Sequence, residues 1–353
     1  MSEQARASYL SCLQVFRGLA ALGVVVYHAG LFTERQSGQV LLGGWYHFGE
    51  LGVDFFFVLS GFIIAFVHGD ELGQPARAPR YLARRFFRVY PLLFLLTTAK
   101  LALELVAWQR GGAGPDLSRI LSSYLLLPGP DGGLPVITAA WTLQHEVLFY
   151  ALFLLALLLG RRAGLWIMGG WMTLIVILSG TGVNLDGMPR LIFAAHNVEF
   201  VFGILACHLF KSQRVGASRS LGAALALVGL VGGAWLYDSA DGADQPLLVR
   251  LFLGAGFAAL IYLMANWEKS RARSTWPRWA CWLGDASYSI YLGHSLILLA
   301  VIGAGAKASA SGKPYAYIIA VVAIALSLTA GGLIWRFIEM PCLKKFKNAL
   351  CYS

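Results

Sequence analysis

Two ionisable side chains interrupt the first long apolar stretch of the sequence, LQVFRGLAALGVVVYHAG at residues 13–30. Arg17 and His28 are eleven residues apart, which at about 100° per residue places both on one face of a helix, about 16 Å apart along its axis. Ionisable groups inside a bilayer are costly and mark functional sites by default. The pair predicts a fixed cation and, farther along the helix, an imidazole able to take a proton from a hydroxyl group. The alternative is that Arg17 extends to the lipid headgroups and that His28 only bonds a neighbouring helix.

A second group of polar side chains lies in AAWTLQHEVLFYALF, residues 139–153. Glu146 and Tyr150 are four residues apart and share a helical face, next to the row that contains His145. These side chains could orient an imidazole or a substrate hydroxyl, although an aromatic belt at the membrane interface explains the same composition. The pair of His145 and Glu146 lacks the second histidine of the HExxH motif, so the sequence predicts no metal site.

Two further stretches carry polar groups inside apolar runs. WLGDASYSIYLGHSLIL, residues 282–298, places Ser287, Tyr291 and His294 on one helical face. This density of hydroxyl and imidazole groups indicates a hydrated interior, or polar packing between helices. In GELGVDFFFVLSGFIIAF, residues 49–66, Asp54 would be costly without a partner. We therefore expect Asp54 near the outer mouth of the bundle, bonded to a basic or histidine side chain, in a structural or a direct role.

Basic residues cluster before the third apolar run, in RRFFRVYP at residues 84–91. Arg85 and Arg88 share a helical face, and guanidinium groups bind phosphate oxygens in a bidentate manner. The cluster suits a polyphosphate ligand from the cytosol, although anchoring by positive charge at the membrane surface also explains it. In WRFIEMP, residues 335–341, Arg336 and Glu339 are three residues apart, a spacing at which they can form an ion pair near the inner boundary.

The elements that position these residues are predicted to be membrane-spanning helices. The chain has 353 residues, of which 58% are hydrophobic and 13% charged, with a mean hydropathy of +0.66, whereas soluble domains are about 25% charged. Apolar runs long enough to cross a bilayer recur along the whole chain. They predict an all-α polytopic membrane protein with about ten transmembrane helices, at residues 11–30, 50–68, 86–107, 141–160, 164–180, 191–210, 220–237, 247–265, 286–304 and 316–337.

The charges between these runs predict the orientation. Most lysines and arginines in the loops, tails and ends of the runs fall on the side that carries both termini, and few, among them Arg250, fall on the other side. The positive-inside rule then makes both termini cytoplasmic, and the net charge of +10 reflects topology and not nucleic-acid binding. Residues 69–85 are predicted to form the main inner loop, 119–129 an interfacial or re-entrant segment, and 108–140 an outer lid or acceptor surface. The five cysteines are expected to be free thiols.

Taken in order along the chain, these motifs resemble those of the acyltransferase-3 superfamily of integral membrane acyltransferases. The resemblance rests on an Arg and a His separated by ten residues in the first span, GVDFFFVLSGF in the second, RRFFRVYP before the third, WTLQHEVLFY in the fourth, SYSIYLGH in the ninth and a terminal IEMP. It covers nearly the whole chain. It implies a transmembrane acyltransferase domain at residues 1–342, a basic cytoplasmic tail at 343–353 and a location in the bacterial inner membrane.

The resemblance implies that an acyl group, commonly acetyl, moves from cytosolic acetyl-CoA to a hydroxyl of a lipid-linked or polymeric envelope glycan, such as O-antigen or exopolysaccharide. His28 matches the family's essential histidine and Arg17 its paired basic residue. Arg85 and Arg88 match a motif linked to donor binding, and Glu146 matches the glutamate of the fourth span. The supporting candidates are Asp54, His145, Tyr150, Ser287, Tyr291 and His294.

Two mechanisms stay open for His28. As a general base it would contribute about 10²- to 10⁴-fold to the rate, and as a nucleophile it would carry the acyl group as an acyl-imidazole. Arg17 suits donor phosphate or pantetheine, or the oxyanion, and its inner position favours the donor. Two other functions are acylation of a small molecule such as a macrolide and transport of a lipid-linked glycan without chemistry.

Overall fold

The computed structural model describes residues 10–351 apart from 112–113, 115, 130–131, 213–218, 240–246, 272–275 and 307–312. These described residues form helices and turns but no β-strand, and ten helical segments among them are long and apolar enough to cross a membrane. The predicted all-α architecture with ten spans is therefore confirmed. The orientation of the termini stays a prediction, and the two outer limits of the predicted domains lie outside the described residues.

The helices correspond to the predicted apolar runs, with differences at several ends. In chain order they are α1 (Ser11–Ser37), α2 (Gly52–His68), α3 (Ala78–Gln109), α4 (Leu117–Leu125), α5 (Trp141–Leu159), α6 (Arg161–Thr181), α7 (Gly187–Ile192), α8 (Val198–Ser212), α9 (Arg219–Ser239), α10 (Leu247–Lys269), α11 (Arg278–Asp285), α12 (Ser287–Ala304), α13 (Lys313–Ile334) and α14 (Met340–Cys351).

The first two spans are joined by a segment that the apolar pattern did not indicate. Helix α1 ends at Ser37 and is capped by Gly38, whose φ of 68° lies in the left-handed region that glycine adopts without strain. The chain then returns along α1 as a 3₁₀ segment at Leu41–Leu51. The hydroxyl of Tyr46 in this segment donates a hydrogen bond to the Glu34 carboxylate, which ties the segment to the end of α1 and sets the start of α2.

Helices α2 and α8 approach each other closely through two glycines. A Cβ atom at Gly61 would overlap the carbonyl oxygen of Phe200, and one at Gly203 would overlap that of Val58. Small residues at a crossing let two helix backbones come together inside a membrane. This crossing holds α2 in place. Other residues of α2 line the cavity described below.

The sixth predicted span, residues 191–210, is broken into α7, a 3₁₀ turn at Ala195–Asn197 and α8. The Asn197 amide donates to the carbonyl oxygens of Leu191, at 2.8 Å, and Ile192, at 3.1 Å, and the Trp171 indole donates to Ile192 at 2.7 Å. The oxygen of the Asn197 amide accepts from His145 Nδ1 at 2.9 Å. Two of the backbone carbonyl groups at the break are thus satisfied by side chains, as a membrane interior requires.

The basic motif of the third span lies inside a helix. Helix α3 begins at Ala78 and continues through Pro91 to Gln109, so the inner loop predicted at residues 69–85 is shorter than expected. Because the arginines stand on helical turns, Arg80, Arg84 and Arg88 follow one another at intervals of four residues on one face. The prediction of a loop was wrong because charge was read as a loop signal, although a long helix can extend beyond the apolar layer.

The ion pair predicted between Arg336 and Glu339 is not formed. Residues Trp335–Glu339 adopt a π-helical turn between α13 and α14, and residues three apart in this wider turn no longer face the same way. The Arg336 guanidinium lies over the Phe337 ring, 6.0 Å from its centroid. Glu339 is instead turned into the bundle, where it pairs with a residue of α3.

The partner of Asp54 is Arg250 of α10. Nη1 of Arg250 donates to Oδ1 of Asp54, and both side chains are buried, as is Glu199 of α8 beside them. The expected basic partner of Asp54 is confirmed. The charge pattern of the sequence had placed Arg250 with the outer loops. Arg250 lies in the first turn of α10 and faces the interior, because the pairing offsets much of the cost of burying its charge.

We predict that the Asp54→Ala variant is destabilised by about 3–5 kcal/mol, since it leaves the Arg250 charge buried without its partner. The measurement is thermal unfolding of the detergent-solubilised protein. The matched control is Asp70→Ala, which removes an exposed partner of Lys211 and should change the unfolding temperature little. Equal unfolding temperatures for the two variants would contradict the assignment, and adding Arg250→Leu to Asp54→Ala should restore part of the loss.

Candidate active site

A cavity of about 730 Å³ lies among α1, α2, α3, α5, α12 and α14. Six of its lining side chains are cations and one is a carboxylate, so the cavity suits an anionic ligand. The rest of its wall is largely apolar and aromatic. The polar and charged lining residues are Arg17, Ser60, Arg80, Arg84, Arg85, Arg88, Thr142, Glu146, Tyr150, Ser287, Tyr288, Tyr291 and Lys344.

Arg88 is held by contacts on two sides. Its Nη1 donates to one carboxylate oxygen of Glu339, and the other oxygen accepts from the hydroxyl of Ser289 at 2.6 Å. The guanidinium carbon lies 4.9 Å from the ring centroid of Tyr288, a cation–π contact. Because the guanidinium carries five N–H groups, this fixed side chain retains donors for a ligand in the cavity.

Arg85 is held by a chain of contacts from the end of α2. Its Nη2 lies 3.3 Å from Nε2 of His68, and Nδ1 of His68 lies 2.6 Å from the Glu71 carboxylate. The carboxylate can only accept, so His68 donates from Nδ1 and accepts from Arg85 at Nε2. The Arg85 guanidinium carbon also lies 5.5 Å from the centroid of the Tyr150 ring. The sequence contained no signal that His68 positions this arginine.

Glu146 faces the arginines from α5. One oxygen of its carboxylate accepts hydrogen bonds from the hydroxyl of Tyr150 and from that of Ser60, the latter at 3.1 Å. The four-residue spacing of Glu146 and Tyr150 had predicted this shared face. Across the cavity, Nη1 of Arg17 donates to the side chain of Gln14 at 3.0 Å. Glu146 and Arg17 therefore line the same cavity without forming a direct ion pair.

Tyr291 closes the end of the cavity that is farthest along α12. Its hydroxyl lies 3.0 Å from Thr142 Oγ1 and 3.3 Å from the carbonyl oxygen of Ala139. Its ring packs against Phe56, with 5.6 Å between centroids, and against His294 at 5.9 Å. Tyr291 thus lines the cavity on one side and contacts a histidine on the other.

His28 and His294 form a pair just beyond Tyr291. Nδ1 of His28 lies 3.2 Å from Nε2 of His294, and the ring centroids are 4.9 Å apart. The rings of Tyr27, at 4.8 Å, and Phe32, at 5.9 Å, pack on other sides of His28. His294 is fully buried, whereas His28 is half-buried. The two histidines come from opposite ends of the chain, so their meeting could not be predicted from spacing.

Most of the candidates predicted from the sequence meet at this site. Seven of them line the cavity, and His28 and His294 lie next to its closed end. Asp54 and His145 lie elsewhere, in the Arg250 ion pair and at the break between α7 and α8. The seven cavity-lining candidates are Arg17, Arg85, Arg88, Glu146, Tyr150, Ser287 and Tyr291.

Three cations that line the cavity were missed. Arg80 and Arg84 could have been found from their four-residue spacing with Arg88 on one helical face, whereas Lys344 carried no local signal. In the described part of the chain, no cluster of three or more His, Cys, Asp or Glu side chains is arranged to hold a metal ion. The four cysteines whose side chains are described are free thiols.

The described part of the predicted basic tail, residues 343–351, belongs to α14. Three of its residues, Leu343, Lys344 and Phe346, line the cavity. The Phe346 ring stacks on Phe87 of α3, with centroids 4.0 Å apart and planes inclined by 21°. An aromatic side chain of α14 thus packs against α3, and the domain boundary at residue 342 stays a prediction.

A membrane bundle with a cationic cavity next to a histidine pair defines an integral membrane protein able to hold an anionic molecule close to a proton acceptor. Residues 10–335 match the family described as an acyltransferase domain, of the acyltransferase-3 type. Because the match covers most of the sequence, this multi-pass membrane protein belongs to that acyltransferase family. No solved structure matches the chain.

The chain is similar to several named proteins. The exopolysaccharide production protein ExoZ of Rhizobium meliloti (strain 1021) is 32% identical, over 74% of this chain and 80% of that protein. The acyltransferase MdmB of Streptomyces mycarofaciens is 27% identical, over 96% and 93%. The putative peptidoglycan O-acetyltransferase YrhL of Bacillus subtilis (strain 168) is 24% identical, over 82% of this chain and 49% of that protein.

We predict that Phe346→Ala loosens α14, since an aromatic pair contributes about 0.5–1.5 kcal/mol beyond the area it buries. Trypsin should then cleave after Lys344 and Lys345 about 2- to 10-fold faster, because cleavage tracks the population of the opened segment. Mass spectrometry of the peptides released from the solubilised protein measures the rate. The exposed Cys342 on the same helix provides the control, Cys342→Ser. Equal cleavage rates in the two variants would show that the ring stack does not hold α14.

Proposed function

We propose that this membrane acyltransferase moves an acyl group, acetyl in the simplest case, from a coenzyme A thioester to a hydroxyl group of a cell-envelope glycan. The observation that carries the proposal is the cationic cavity, which extends from the exposed side chains of Arg80 and Lys344 to Tyr291 beside the histidine pair. The chain belongs to an acyltransferase family, which favours group transfer over glycolipid transport as the activity of this cavity.

The cavity fits the chemistry of the donor. Coenzyme A has an anionic nucleotide end, suited to the arginines of α3, and a thin pantetheine arm, suited to the apolar and aromatic wall. The volume lies within the range of about 300–1,000 Å³ common for small-molecule sites. Two buried polar atoms of its lining, Oγ of Ser287 and Nε of Arg85, have no hydrogen-bond partner among the described residues. A bound donor would supply such partners, which an apolar ligand would not.

The proposed reaction uses His28 as a general base. Its imidazole takes the proton of the acceptor hydroxyl while the oxygen bonds to the thioester carbonyl carbon, the carbon–sulfur bond breaks, and the proton passes to the departing thiolate. Arg17 lies on the same face of α1, on the cavity side, where its guanidinium suits the polar groups of the donor arm. Glu146, hydrogen-bonded to Tyr150 and Ser60, offers the fixed carboxylate that orients polar groups in the cavity.

The acceptor class rests on the relatives. ExoZ is named for exopolysaccharide production and YrhL for peptidoglycan O-acetylation, and both names refer to sugars of the cell envelope. MdmB, named an acyltransferase, leaves a small-molecule acceptor as the second candidate. Because lysines and arginines crowd the side that carries Arg80 and Lys344, the positive-inside rule favours donor entry from the cytosol of a bacterial cell with this protein in its inner membrane.

Labelled acetyl-CoA provides the test of the reaction. The host strain lacks the gene and is complemented with it on a plasmid. Membrane vesicles from the complemented cells should transfer the label to envelope glycan. The His28→Ala variant should lose at least about 100-fold in rate, since a general base contributes about 10²- to 10⁴-fold. Label retained on a peptide containing His28 would indicate an acyl-imidazole instead. Transfer that is undiminished in His28→Ala would reject the base assignment, and absence of label in the wild-type vesicles would reject the proposed function.

Donor binding is tested at the exposed Arg80. We predict that Arg80→Ala raises KM for acetyl-CoA about 3- to 10-fold and leaves kcat unchanged, because a phosphate contact made equally in the ground and transition states affects binding alone. Arg77→Ala is the matched control, since Arg77 is also exposed on the same stretch but does not line the cavity. The same rise in KM for both variants would assign the effect to general surface charge.

A further inference from the structure

The contacts of His28 and His294 determine where the protons of the pair lie. Nδ1 of His28 is 3.0 Å from the carbonyl oxygen of Val24, and Nδ1 of His294 is 2.5 Å from that of Tyr291. A carbonyl oxygen can only accept a hydrogen bond, so each Nδ1 carries a hydrogen. A neutral imidazole has one N–H group. Both rings therefore have their unprotonated nitrogen at Nε2.

This assignment gives the contact between the rings a direction. Nε2 of His294 faces Nδ1 of His28 at 3.2 Å, so its lone pair accepts from the same His28 N–H, and this hydrogen is shared between His294 and the carbonyl oxygen of Val24. The lone pair of His28 at Nε2 is left without a partner among the described residues. This nitrogen is not among the buried polar atoms that lack a partner, so it is not fully buried, which the approach of a substrate hydroxyl requires.

We propose that His294 is a positioning residue for His28 in the acyl transfer set out above, on which this inference rests. His294 acts as a neutral hydrogen-bond acceptor that holds the His28 ring and keeps its lone pair at Nε2. In many hydrolases a carboxylate has this place behind the base. Here a second imidazole orients the base without placing an unpaired anion in the membrane interior, where a buried charge is costly.

The hydrogen bond between the two histidines also stabilises the charged transition state more than the resting state. When Nε2 of His28 takes the proton of the acceptor hydroxyl, the ring becomes an imidazolium and its Nδ1–H becomes a stronger donor to His294. The hydrogen bond is thus stronger when the charge has formed than before, which is the condition for it to lower the barrier. No bond of His294 forms or breaks in this step.

Two substitutions of His294 separate this role from packing. His294→Gln keeps a side-chain oxygen that can accept from His28, whereas His294→Phe keeps a ring of similar shape and has no acceptor. Label transfer from acetyl-CoA to envelope glycan is measured in the complemented membrane vesicles. We expect His294→Phe to lower kcat about 10- to 100-fold with KM for acetyl-CoA unchanged, and His294→Gln to stay within about fivefold of the wild type.

The matched control is Phe32→Leu, which alters the ring packed on another side of His28 and has no acceptor to lose. It should keep the wild-type rate to within about twofold. Thermal unfolding of each solubilised variant identifies any loss that comes from instability. If His294→Phe unfolds at a lower temperature than the wild type, its rate is normalised to the folded fraction. Comparison with His294→Gln then still separates positioning of His28 from packing.

The outcomes distinguish this inference from the proposed function. A rate in His294→Phe equal to or above that in His294→Gln would overturn the inference, because packing alone favours the ring. If His28→Ala is inactive while His294→Phe keeps the full rate, the acyl-transfer proposal stands and the positioning role is rejected. Absence of transfer in the wild type would reject both.

Discussion

The ion pair between Arg88 and Glu339 is the contact on which the arrangement of the site depends. The Glu339 carboxylate is buried and would be strongly destabilising without a partner, so α3 and the π turn after α13 are held together at this point. Ser289 of α12 shares the same carboxylate, which brings three regions of the sequence around one charge. The π turn that directs Glu339 inward also sets the start of α14, and α14 then forms one wall of the cavity.

The ring of Tyr291 lies between two parts of the site. The arginines, Glu146 and Tyr150 lie in the cavity, whereas the histidine pair lies beyond Tyr291. Such a division separates the groups suited to an anionic donor from the group suited to removing a proton. In the proposed reaction the thioester end of the donor and the acceptor hydroxyl meet at this ring. The hydroxyl of Tyr291, bound near Thr142, links α12 to α5 at this point.

Local patterns predicted those parts of the structure that depend on neighbouring residues. Apolar length located the ten spans, and four-residue spacing placed Glu146 with Tyr150. The same reasoning failed where the helix departed from α geometry, since the π turn separated Arg336 from Glu339. It also failed where charge was taken to end a helix, as before α3 and after α13, because helices extend beyond the apolar layer when their apolar faces pack on neighbours.

The sequence by itself determined the class of the protein, the number of its spans and the residues of each helix that share a face. These are local properties, set by hydrophobic length and by the rise and rotation per residue. Only the tertiary structure decided which faces meet. His28 and His294 are 266 residues apart, and Arg88 and Glu339 are 251 apart. Such partners are selected by the packing of helices against one another, which the pattern within a single helix does not specify.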